Sequence, residues 1–106
     1  MNKKIVAALA SLKIPVAYME YTGKEQAYIM FQVYNEQDGE FFDDTNEAEI
    51  SYITMSYWYK NPADKSREKE IKSLMKQAGF VFDGSKDMKD EGFYGRSFDF
   101  IYKEYL

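Results

Sequence analysis

The chain has 106 residues, no cysteine, no histidine and a formal net charge of −4. Without cysteine there is no disulfide framework, thiolate metal site or thiol nucleophile, and without histidine the commonest general base and metal ligand at neutral pH are gone. One modest core is expected of a chain this size, with 45% hydrophobic and 18% aromatic residues and ten tyrosines that favour sheet packing.

The charge is unevenly placed. Between Asn35 and Glu49 lie seven of the 18 acidic residues and no lysine or arginine, leaving 14 basic against 11 acidic residues elsewhere. The chain reads as a mildly basic body with one acidic segment.

Asn2 to Leu12 reads as a helix with Ile5, Ala8, Leu9 and Leu12 on one stripe, Asn2 as its cap and Pro15 as its stop. The opening apolar run is too short for a signal peptide, and no stretch approaches the ~20 residues of a membrane span. Val16–Tyr21 reads as a strand, with a hairpin turn at Thr22–Glu25 in which Gly23 supplies positive φ, leading to a second strand at Ala27–Tyr34. Residues 35–49 form an acidic excursion. A long strand follows at Ile50–Tyr59, with Ile53, Met55, Tyr57 and Tyr59 on one face. A helix is expected over about Asp64–Ala78, its start marked by Asn61 as cap and Pro62 or alternatively capped at Asp64, with Ile71, Leu74, Met75 and Ala78 as its buried stripe and Gly79 as its left-handed end. Phe80–Phe82 reads as extended, residues 83–92 as a charged mobile loop or hairpin tip, and Phe93–Tyr105 as the final strand. The expectation is a single α+β domain over 1–106, in the order α-β-β-(β)-β-α-β-β, with a mostly antiparallel or mixed sheet and two helices on one face.

Candidate sites are few. The acidic segment does not fit a calcium loop: with Gly39 at the sixth position, Tyr34 and Thr45 would occupy the first and last ligand positions. Asp43 and Asp44 point to opposite faces of an extended chain and do not converge for hydrolysis. The basic second helix, with Lys65, Arg67, Lys69, Lys72 and Lys76, is interleaved with Glu68 and Glu70 and lacks the aromatic signature of an RNA-binding sheet. No catalytic residue, metal site, cofactor, nucleic acid or membrane is therefore expected. The face opposite the expected core gathers Tyr28, Met30, Tyr34, Tyr52, Thr54, Trp58, Ile101 and Tyr105, a composition enriched at protein interfaces. Either a segment of the chain covers it or a partner does.

The stretches LASLKIPVAYMEYTGKEQAYIMFQVYN, EISYITMSYWYK, IKSLMKQAGFVF and GFYGRSFDFIYKEYL, in that order around an acidic segment, resemble the small tail-completion and tail-terminator (head–tail joining) proteins of long-tailed bacteriophages and prophages. The resemblance implies a non-enzymatic virion assembly protein, made in the bacterial cytoplasm. It would form a ring that joins the tail tube to the neck and connector proteins of the head. In such a ring the charge pattern of the sequence, not the resemblance, suggests the interface: Asp43, Asp44 and Glu47 of one subunit would face Lys65, Arg67 and Lys69 of the next, with Tyr52 and Trp58 docking from the sheet. The competing expectation is a small cytosolic regulator that binds a host or phage protein through the same tyrosine-rich face.

Overall fold

A computed structural model of the chain describes residues 1–38, 41–42, 45–46 and 48–105, leaving aside the side chains of 41, 42, 45 and 46. The elements in order are α1 (Asn2–Leu9), β1 (Val16–Tyr18), β2 (Ala27–Asp38), β3 (Phe41–Phe42), β4 (Thr45–Asn46), β5 (Ala48–Tyr59), α2 (Arg67–Gln77), β6 (Val81–Asp90) and β7 (Phe93–Tyr105). Five strands form one mixed sheet in the order β1-β2-β5-β7-β6, and β3 and β4 pair separately. All neighbours in the large sheet are antiparallel except β1 and β2. This is the α+β domain the sequence predicts.

The core lies on one face of the sheet. Ile29, Phe31, Ile53, Met55, Tyr57, Phe98 and Phe100 are buried there in register across β2, β5 and β7. Both helices pack on this face. α1 contributes Ile5 and Leu9, a following 3-10 turn adds Leu12, and α2 contributes Ile71 and Met75. Those positions match the 3.6-residue stripes of the sequence, and the hydrophobic effect explains the choice of face.

Local chemistry sets the ends of the elements. α2 closes in a Schellman motif: Gly79 N–H donates to the Lys76 carbonyl and Phe80 N–H to the Met75 carbonyl, with Gly79 at φ 97°. Phe80 and Met75 are both buried, which supplies the hydrophobic contact of that motif. Asn61 Oδ1 accepts from Ala63 N–H at 3.0 Å, but the turn it caps is a 3-10 helix over Pro62–Ser66, and α2 proper starts only at Arg67.

Other expectations need correction. Asn2 is not a cap, because the helix starts from Met1 and no side chain caps it. Its stop is Lys13 at φ 57°, two residues before Pro15. β1 ends at Tyr18, where Met19 turns the chain at φ 68°, and residues 19–26 return so that β1 lies parallel to β2. There is no β1–β2 hairpin, and Gly23 is not in the positive-φ region. The acidic segment begins as strand: β2 continues to Asp38 by admitting a bulge between Val33 and Asn35. The charged segment 83–92 is also mostly strand. β6 runs through it, and a two-residue turn at Glu91 (φ 37°) and Gly92 (φ 87°) joins it to β7.

Beyond Val33 and Ile101 only β2, β5 and β7 continue, since β1 pairs with Ile29–Phe31 and β6 with Phe93–Ile101. The molecule is accordingly elongated, 53 × 24 × 23 Å. Among the described residues no helix is long and apolar enough to cross a membrane.

Candidate protein-interaction surfaces

The alternation that buries Ile53, Met55 and Tyr57 sends Tyr52, Thr54, Ser56 and Trp58 to the opposite face. Register places Tyr28 beside Trp58, Met30 beside Ser56, and Ile101 beside Tyr52. Neither helix covers this face, because α1 and α2 pack against each other on the other side. Each of these residues remains partly accessible.

The open face has two aromatic ends and a polar middle. At one end the Tyr21 ring stacks on Tyr28 at 4.4 Å, and Tyr28 meets the edge of Phe93 at 5.8 Å. Trp58 lies flat on Gly95: a Cβ there would come within 2.6 Å of its Cζ3 atom. At the other end Tyr34, in the bulge and half exposed, leans on Tyr52 at 6.0 Å, and Gln37 Nε2 donates to the Tyr52 hydroxyl at 3.0 Å. Between them lies a shallow depression of about 200 Å³ bordered by Met19, Met30, Gln32, Thr54 and Ser56. Among the described residues, the 19–26 return reaches over this face and lays Tyr21 on Tyr28. Burial raises the Tyr28 pKa, with help from Asp90, so its hydroxyl stays neutral.

On the helix side, two tyrosines fasten the 3-10 turn and α2 to β5. Tyr57 donates to the Asp64 carbonyl at 2.9 Å, and Tyr59 to Glu68 Oε2 at 3.0 Å. Burial, reinforced by the Glu68 carboxylate, pushes Tyr59 from 10.0 up to about 12. Burial also raises Tyr57; the neighbouring Arg67 guanidinium works against that rise and is itself held more firmly protonated. At the sheet edge Arg96 bonds Asp87 at 2.6 Å and Ser85 at 2.7 Å, and this holds the Asp87 carboxyl below its usual range. A groove of about 500 Å³ runs past Tyr59, Pro62, Lys65, Lys89 and Tyr94. Tyr59 and Tyr94 stack at 5.7 Å in its wall.

The predicted site residues separate into three groups. Asp43, Asp44 and Glu47 lie outside the described residues. Tyr52 and Trp58 are on the open face, as expected. Lys65 and Arg67 are committed within the chain, Lys65 to Glu68 and Arg67 to Asp64, each at 3.3 Å. Lys69 is exposed on the outer face of α2, in one stripe with Lys72 and Lys76. Sequence reasoning missed Tyr21 and Phe93. Phe93 follows from strand parity with Gly95 once β7 is placed, whereas Tyr21 depends on the left-handed Met19, which no local signal announces. Among the described residues no group of three or more carboxylates is disposed to hold a metal ion.

No family model matches the chain, and a search of curated proteins finds no match.

Proposed function

We propose that this protein is a non-enzymatic assembly protein of the phage tail-completion or tail-terminator type, self-associating into a ring at the end of a tail tube and joining it to the head connector. The observation that carries the reading is the open sheet face. A 106-residue chain places both helices on one side and leaves Tyr28, Tyr34, Tyr52, Trp58 and Ile101 partly accessible on the other. Aromatic residues with polar tips, set around a polar middle, suit a surface that is wet in the free chain and buried in an assembly. The absence of histidine and cysteine from the sequence adds support, as does the correspondence in element order with tail-completion proteins.

The test is sedimentation velocity at rising protein concentration, with and without purified tail tubes. Self-association, or comigration with tubes, is the expected result. A chain that stays monomeric and ignores the tubes overturns the reading. Capture by a non-virion protein instead would favour a regulatory role for the same face.

A further inference from the structure

We infer that two copies of this chain pair antiparallel through their β6 edges, about a two-fold axis at Met88. β6 is an outer strand of the five-stranded sheet, and among the described residues no strand pairs with its free side. From Ser85 to Asp90 it keeps a regular ladder with β7, beyond the irregularity between Phe82 and Ser85. The backbone N–H and C=O groups on the free side of such a strand are a template for another strand. The outer strand at the opposite side of the sheet, β1, has three residues and offers much less. Along the β6 edge Lys86, Asp87, Lys89 and Asp90 are exposed and Met88 is half-buried.

Charge complementarity selects a second copy as the partner. The run Lys86-Asp87-Met88-Lys89-Asp90, laid against its own reverse, matches opposite signs at every charged position. With Met88 facing Met88, Lys86 faces Asp90 and Asp87 faces Lys89, and the symmetry makes each pair twice. Directly opposed residues of an antiparallel ladder orient their backbone groups alike, so two identical strands pair symmetrically only about one residue. Centring on Lys86, Asp87 or Lys89 would set a charge against its own copy, which destabilises the pair. Met88 is the centre in this run that avoids it. Charges of one sign would blunt the edge against every partner. Alternating signs leave one register matched.

The side chains are placed for this. Met88 lies beside Gly95, and Gly95 beside Trp58, so Lys86, Met88 and Asp90 are on the open face. Asp87 and Lys89 are on the helix side. Asp87 bonds Arg96 yet its side chain stays 73% exposed, and Lys89 lies over the Tyr94 ring at 4.3 Å. Pairing over residues 86–90 would add about four to six backbone hydrogen bonds, depending on which residues turn their N–H groups outward. A two-fold axis normal to the sheet keeps both open faces on one side, with the two Met88 side chains between the two Trp58 patches. The contact is isologous and closes as a dimer. It is separate from any ring contact and does not rest on the tail reading.

A charge exchange tests this by sedimentation velocity at rising concentration and low salt. Lys86→Asp sets carboxylate against carboxylate twice across the axis, and Asp90→Lys sets ammonium against ammonium twice. Neither residue makes an ion pair among the described residues, and both are exposed, so thermal melting should show both variants folded. The wild type should dimerise, and each variant alone should dissociate at about tenfold or more higher concentration. Mixed in equal amounts the two should dimerise again, and so should the chain carrying both changes, in which the signs are exchanged. A monomeric wild type, single variants that associate as the wild type does, or a mixture that does not recover overturns the edge contact. The tail-tube measurement judges the open face separately.

Discussion

Tyr59 and Trp58 are neighbours in sequence that serve opposite faces of the same strand. Tyr59 is 4% exposed and donates to Glu68, whose other oxygen receives Lys65. Removing the hydroxyl in Tyr59→Phe should cost about 1–2 kcal/mol, because a largely buried carboxylate loses a donor. The pH dependence has a definite sign. Tyr59 titrates at about 12 in the folded chain and near 10 when unfolded. Its contribution is therefore complete below pH 10 and is lost as pH rises toward 12, since the unfolded chain releases the proton first. Chemical denaturation at about pH 9 and about pH 11 should show a steeper alkaline loss in the wild type than in Tyr59→Phe. Trp58 makes a different demand, since its ring occupies the space a side chain at position 95 would need. Gly95→Ala should destabilise by about 1–3 kcal/mol through forced movement of the ring. It should also shift the fluorescence of the single tryptophan. In a Trp58→Leu background most of that cost should vanish, which a double-mutant cycle would measure.

At the level of elements, the two helices and the strands β2, β5 and β7 were legible because their signals are local and redundant. The α2 end is an example. Gly79 follows an apolar stripe, and the Schellman bonds, the φ of 97° and the buried Phe80 all agree with it. Gly79→Ala should cost about 1 kcal/mol, read from a denaturant midpoint that moves without a change in slope. Strand parity was legible for the same reason: Ile53, Met55 and Tyr57 face the core, and Tyr52 and Trp58 do not. What the sequence hides is pairing at a distance. Parallel alignment of β1 with β2 depends on a turn at Met19, a residue with no preference for positive φ. Asp83 to Asp90 looks like a loop by composition, but it gains its strand structure from ladder bonds to β7. Likewise Lys65 and Arg67 look free on a helical projection, and only the placement of Glu68 and Asp64 shows them occupied.

At the scale of the whole molecule, the core and both helices lie on one face of the sheet, and the described residues leave an aromatic surface partly accessible on the other. The most direct measurement of the account is cosedimentation with purified tail tubes, comparing the wild type with Ile101→Lys. Ile101 sits between Tyr52 and Val81 on the open face, half-buried, so a lysine there should change stability by only about 0.5 kcal/mol. The account predicts that the wild type pellets with the tubes while the variant, equally folded by thermal melting, stays in the supernatant. Equal pelleting of the two, or no pelleting of either, would contradict it.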